Sequence, residues 1–532
     1  MAKTSKKKGS YLDRQKAAVL TKLDLWQGRG ARMLVILLLC VHPLFLTPDR
    51  YAELTLHKFQ FFCACMILAI LTALVIWGIR FTRKPPILAE GQPTLADWAI
   101  LGFAIVTLLS TMLSPYKDKI NVWIGVEEPS GRYDGAITQL LYVTVFLIVS
   151  RWYKPRQRDF TLVGISAILV ALIGILQFYG MDIFKLWPYD SARYSGYTSY
   201  DIFFRTTLGN VNIVSSYVCV AILLCGFLFI RMKSKWQPLW LAASALNFWL
   251  MELADADSGR VGLMAVVVLA IPFIIETRKT LGKTLILVTS WLAVYTLQKL
   301  FYERIVLQAR TLTSLLPYVA LGAVLFAVGV FLLKWGKDRD TGESGIKWKL
   351  GVILIGACLV AGLVGVEVLG RREEGSSDTN FIYELREVMH GNIRDEFATY
   401  RVHIWRNALK AYPDRPIIGS GPDTFYYAFP KEAQKVIGQT YENAHNEYIQ
   451  ILICQGIIGL VCYLIFIGAL LIKSVPKAFK NPLLMAVLAA FAGYCVQAFF
   501  NLSVPIVTPM LWVFAGMLAN DKVREATMRE IS

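Results

Sequence analysis

The chain has 532 residues, 56% of them hydrophobic, a mean hydropathy of +0.50 and a formal charge of +17. Soluble globular proteins carry roughly 45–50% apolar residues, so this composition excludes one and points to an integral membrane protein. Many apolar runs approach or exceed the roughly 18–20 residues that a helix needs to cross the hydrocarbon core, and the period-two segments of about 10 residues that mark a membrane barrel are not seen. The expected fold is therefore all-α and polytopic. The basic excess gathers in short loops on one side of the membrane, which reads as topology under the positive-inside rule rather than as a nucleic-acid surface. All nine cysteines fall within apolar segments, and Cys63 and Cys65 have no second pair to complete a metal motif.

Residues 1–30 form a basic arm with eight lysines and arginines, which places the N-terminus in the cytoplasm. About thirty mostly polar residues before the first apolar run argue against a cleavable signal peptide. A surface helix is expected over 12–26. Apolar runs then predict fourteen spans, near 31–47, 58–79, 95–113, 135–150, 160–179, 211–230, 237–253, 261–276, 284–300, 313–333, 350–369, 446–472, 482–500 and 505–519. An even number returns the C-terminal tail, 521–532, to the cytoplasm. The expected organisation is the arm, eleven spans over 31–370, an external segment over 371–445, three spans over 446–520 and the tail.

Three outer segments are too long to be simple turns: 114–134, 180–210 and 371–445. The last holds His390, His403 and His445, three of the five histidines in the chain. Residues 395–412 place Phe397, Tyr400, Ile404, Ala408 and Tyr412 near helical spacing and predict an interfacial helix ended by Pro413. Outside the cytoplasmic membrane there is no supply of nucleotide sugars, so glycan assembly there draws on sugars activated on a lipid diphosphate. Arginines suit such a leaving group, and Arg260, Arg371, Arg372, Arg394, Arg401 and Arg406 are candidates. For each the alternative is contact with lipid headgroups. Asp255 and Asp257 either hold a hard cation or partner nearby arginines. His445, at the point where the outer segment becomes a span, has the chemistry of a general base.

Ala444-His445-Asn446-Glu447-Tyr448, followed by Gly456-Ile457-Ile458-Gly459, resembles the signature of the bacterial O-antigen ligase/polymerase family. Further pieces occur in the family's order: Trp123-Ile124-Gly125, Gly131-Arg132-Tyr133-Asp134-Gly135, Leu208-Gly209-Asn210-Val211-Asn212, Ser258-Gly259-Arg260, Arg401 to Trp405, and Pro416 to Pro422. Val211 stands where members often have proline, and Gly259 separates Ser258 from Arg260. The resemblance runs from about residue 120 to 520. It implies a fold like the C-superfamily membrane glycosyltransferases, with no metal cofactor. The donor would be an undecaprenyl-diphosphate-linked glycan and the acceptor a glycan or lipid. Carried over, His445 would be the general base, and Arg260 and Arg401 would contact the diphosphate. Arg132, Gly209, Asn210, Asn212 and Asn446, from the motif pieces, and Arg406, from the outer arginines, complete the candidate substrate-binding set.

The expected activity is transfer of a glycan to an acceptor hydroxyl at the outer face of the cytoplasmic membrane. A polymerase that uses the lipid-linked repeat unit as acceptor is the alternative within the class. A flippase for lipid-linked glycans is the alternative from another class. It would place ionisable groups at the bilayer midplane and show internal symmetry, whereas the polar groups here gather at the outer ends of the spans.

Overall fold

The computed structural model describes residues 22–51, 53–82, 92–126, 131–179, 181–186, 204–306, 315–335, 344–372, 381–437 and 441–525. Most of the basic arm, the first part of the 12–26 helix, most of segment 180–210 and residues 373–380 lie outside these, as does Arg310. A helix occupies each of the fourteen segments expected to span. In chain order they are α1 (residues 22–44, with a π-helical turn at Leu37–Val41), α2 (Leu54–Phe81), α3 (Leu95–Met112), α4 (Ala136–Trp152), α5 (Gln157–Phe178), α6 (Val211–Arg231), α7 (Gln237–Ala254) and α8 (Asp257–Leu269, continued by a turn at Ile271–Ile274). After α9 (Arg278–Val306), α10 (Leu316–Trp335) and α11 (Ser344–Arg372) come four helices of the long polar segment. These are α12 (Phe381–Met389), α13 (Arg401–Ala411), α14 (Phe425–Ala428) and α15 (Lys431–Ile437). The chain closes with α16 (Glu447–Ala478), α17 (Pro482–Gln497), α18 (Thr508–Ala519) and a short α19 (Asp521–Arg524). Among the described residues, nine of these helices are long and apolar enough to cross a membrane, and α4 and α18 are shorter apolar ones.

Burial sorts the bundle into centre and rim. The most apolar window of α6 is 94% buried and that of α17 is 78% buried, whereas the corresponding figures are 11% for α10 and 0% for α11. Exposed leucines, valines and phenylalanines on α10 and α11 would be costly in water and are neutral against lipid, so these two helices form a lipid-facing flank. In lipid the apolar effect does not hold helices together, and small polar side chains bond across them instead. The Asn247 amide on α7 donates to the Ala167 carbonyl of α5 at 3.0 Å, and the Ser216 hydroxyl on α6 donates to Gln497 of α17 at 2.7 Å. Asparagine caps start several helices: Asn210 for α6, Asn446 for α16 and Asn481 for α17. Thr94 and Asp97 form a capping box at α3.

The long polar segment packs onto one end of the bundle, and its anchor is a break in α16. Gly456 has φ +68 and ψ −173, which interrupts the helix. The backbone groups freed there are satisfied by the loop Pro416 to Gly421. The N–H groups of Ser420 and Gly421 donate to the carbonyls of Ile453 and Cys454 at 3.0 and 2.9 Å. Those of Ile457 and Ile458 donate to Pro416 and Ile417 at 2.8 and 3.3 Å. Broken helices at membrane depth are tolerated when protein supplies such partners. The approach is so close that a Cβ on Gly419 or Gly456 would lie 2.4 Å from the opposing backbone.

One sequence expectation is revised. The helix predicted over 395–412 is shorter, Arg401–Ala411. Ala398, Thr399 and Tyr400 take left-handed φ values of +52, +58 and +64, a conformation that cannot continue a right-handed helix although the side-chain spacing fits one. The all-α expectation holds, and among the described residues the strand content is one small antiparallel ribbon in which Phe204–Arg205 pairs with Gly209–Asn210.

Candidate active site

His445 stands on the turn that feeds α16. Its backbone is left-handed, φ +46, and its N–H donates to the Asn443 side chain at 2.9 Å. On one side Ala444 is fixed at both backbone groups. Its N–H donates to Gln450 at 2.9 Å, and its carbonyl accepts the Trp405 indole N–H at 2.9 Å. On the other side the Asn446 carboxamide oxygen accepts the N–H groups of Tyr448 and Ile449 at 3.0 and 3.1 Å. The capping asparagine is thus occupied by the helix start, and its contribution is to hold the histidine in place. The imidazole Nδ1 is buried and has no hydrogen-bond partner among the described residues. Burial, with the positive charges of Arg401 and Arg132, pushes its pKa down to about 4. The ring is therefore neutral at physiological pH.

Arg401 opens α13 directly after the left-handed turn. Its Nη1 donates to the Ala398 carbonyl at 3.2 Å, its buried Nε has no hydrogen-bond partner, and it makes no ion pair among the described residues. Burial lowers its pKa, opposed by the more distant charges of Asp257 and Glu384, yet a guanidinium stays cationic under such a shift. The turn that presents it is tied to α12 by the Ala398 N–H, which donates to Glu384 at 2.9 Å. Three successive non-glycine residues in the left-handed region are strained, at about 1–3 kcal/mol each. Arg401 lines a cavity of about 550 Å³ whose walls include Asp257, Glu384, Arg394, Tyr400 and Phe500.

Arg260 is adjacent to that cavity but does not line it. Its guanidinium faces Asp255 at 2.9 Å, Asp257 at 3.1 Å and Glu252 at 3.4 Å. Burial works against its charge, but the carboxylates, Glu252 foremost, outweigh that and raise its pKa. Asp255 and Asp257 therefore hold a guanidinium. Gly259 brings the start of α8 against α6, where its N–H donates to Ser215 at 2.9 Å. Among the described residues, metal-ligating atoms gather within 4.8 Å of one another at Asp49, Glu53 and His57, whose ring Nε2 lies 2.8 Å from Asp49.

Arg132 is enclosed, with 7% of its side chain exposed, and is held by Asp423 at 2.7 Å and Glu442 at 3.2 Å. Burial opposes its charge, and these two acids still raise its pKa. Asp423 also accepts the Val126 N–H at 2.6 Å, so one carboxylate joins the Trp123 to Gly135 loop to the 416–422 loop. Nearby Asp134 is buried, and burial together with the charges of Asp423 and Glu447 pushes its carboxyl well above the usual range.

The remaining candidates lie further out. Gly209 and Asn210 form the ribbon and the cap of α6, and the Asn212 carbonyl accepts the Asn501 amide at 2.6 Å, one residue from Phe500 on the cavity wall. Arg406 is half exposed and bonded to Asp395, which also meets the His403 ring at 3.2 Å. The structure thus brings His445, Arg401 and Arg132 into one electrostatic neighbourhood, sets Arg260 beside it, and leaves Arg406 outside. Asp423, Glu442 and Glu384, which position these groups, were not singled out from the sequence as site residues. The Gly421-Pro422-Asp423 turn is the local signal for the first, and the second sits three residues ahead of His445.

Residues 311–464 match a family model described as O-Antigen ligase. The match includes Arg401, the Pro416 to Pro422 loop and His445, and leaves the motif pieces at 123–135, 209–212 and 258–260 outside it. None of the curated proteins matches the chain. Over residues 311–464 the chain is therefore similar to the O-antigen ligase family.

Proposed function

We propose that the protein transfers a glycan from undecaprenyl diphosphate to an acceptor hydroxyl at the outer face of the cytoplasmic membrane. The family match supports a ligase or polymerase type of activity. The observation that carries the finer reading is a buried His445 Nδ1 with no hydrogen-bond partner among the described residues, in the electrostatic field of Arg401, whose Nε is likewise unpartnered and which lines a cavity of about 550 Å³. His445 accepts the proton of the acceptor hydroxyl as its oxygen bonds to the anomeric carbon. The bond from that carbon to the diphosphate oxygen breaks on the opposite side, which inverts the configuration. The diphosphate departs with the bonding pair, and Arg401 binds the charge that develops. A diphosphate needs no proton to leave, so one base and a cation suffice. Arg260 would contribute by exchanging a carboxylate for phosphate.

His445→Ala in purified protein, reconstituted with an undecaprenyl-diphosphate glycan and an acceptor, tests this. Loss of transfer by about 10²–10⁴-fold is expected for removal of a general base, with insertion and folding unchanged. Full activity of the variant would remove His445 from the chemistry.

A further inference from the structure

Of the two arginines whose charges act on His445, one lines a cavity and the other is ion-paired to a residue that lines a second one. Arg401 lines the cavity described above. Arg132 pairs with Glu442, and Glu442 lines a second cleft of about 350 Å³ between residues 119–126 and α14. We propose that this second cleft binds the saccharide of the acceptor, a claim that rests on the reading of His445 as a transferase base.

The cleft has the surface chemistry of a sugar site. Tyr427 stacks on Tyr116 at 5.7 Å and meets Tyr426 edge-on at 5.1 Å. Its hydroxyl donates to the Lys119 carbonyl at 3.1 Å, and the Lys119 ammonium lies 6.0 Å from its ring. The half-buried Tyr427 ring is therefore fixed before any ligand arrives, which lowers the entropy cost of binding. An aromatic face takes up the C–H face of a pyranose, while Asn121, Lys119 and the partly exposed Glu442 offer donors and acceptors to its hydroxyls. A diphosphate is a poorer fit, because Glu442 and Asp423 already balance Arg132. An acyl chain is a poorer fit beside Lys119, Asn121 and Glu442, whose polar groups it would leave unmatched. Glu442 also links the cleft to His445, through three residues of chain and through Arg132.

The test uses the full chain in nanodiscs. Its probe is oligosaccharide released by mild acid from the surface polysaccharide of the cells that make the protein, free of lipid and diphosphate. Binding is read by calorimetry without turnover. Tyr427→Ala should weaken binding by about tenfold, while Tyr427→Phe, which keeps the ring, should retain most of it. In the transfer assay Tyr427→Ala should raise KM for the acceptor and leave KM for the donor unchanged. Wild-type protein that does not bind the oligosaccharide would overturn the proposal. So would binding unchanged in folded Tyr426→Ala and Tyr427→Ala proteins, or binding lost instead on Phe397→Ala in the other cavity. Full transfer by His445→Ala would overturn the base assignment alone, since tyrosine-dependent binding is measured without chemistry.

Discussion

At the scale of single residues, the account turns on a histidine kept neutral by burial and by two nearby arginines. An ordinary histidine titrates near 6.5, so at pH 5.5 only about a tenth of it would be a free base. His445 is pushed down to about 4, so its unprotonated fraction stays high as pH falls through the ordinary range and is lost only near the lower value. The pH dependence of kcat/KM, which reports the free enzyme, should therefore be nearly flat from pH 7 to 5.5. A fall of about tenfold across that interval would contradict the assignment. Arg401→Gln should shift the acid limb upward, because it removes one of the charges that depress the histidine, and should also raise KM for the donor. Asp423→Asn should leave the Arg132 charge buried and poorly matched, at a cost of about 3–5 kcal/mol, read as a lower unfolding temperature and reduced folded yield. His445 was legible in the sequence because its motif is short and contiguous. The tie between Arg132 and Asp423 was not, because 291 residues separate partners that meet only in the fold.

At the scale of elements, the break in α16 connects the long polar segment to the bundle. The helix that His445 leads into opens at Gly456, and the Pro416 to Gly421 loop closes the gap with backbone hydrogen bonds. Gly456→Ala adds a Cβ 2.4 Å from backbone, at a left-handed φ that disfavours a side chain. It should detach the loop and abolish transfer. Protease sensitivity of residues 401–437 in the folded variant checks this, and unaltered protection with full activity would count against the loop as the anchor. The position of both pieces could be read from the sequence, since the Gly-rich loop and the Gly456-x-x-Gly459 pair stood out as motifs. Their contact could not, because a glycine looks the same whether it relieves a close approach or ends a helix. The helix predicted over 395–412 begins later, at Arg401, for a related reason: side-chain spacing records which residues share a face but not the left-handed turn at 398–400 that presents Arg401.

At the scale of the molecule, apolar runs located helices well, because length and composition dominate in a membrane protein. Which helices form the centre was not legible, since α11, with none of its apolar window buried, and α6, with 94% of it buried, are similarly hydrophobic. The proposed topology can be tested in a background without native cysteines. Lys410→Cys should label from outside intact cells and Lys233→Cys only after permeabilisation, and the reverse pattern would turn the site to the wrong side. The central claim is that the protein breaks the bond between glycan and diphosphate rather than moving the lipid-linked glycan across the bilayer. The direct measurement is undecaprenyl diphosphate released against acceptor glycosylated, in sealed liposomes containing purified protein. The account predicts equal amounts of the two, dependent on acceptor and lost in His445→Ala. Lipid-linked glycan that changes leaflet without any release of undecaprenyl diphosphate would contradict it.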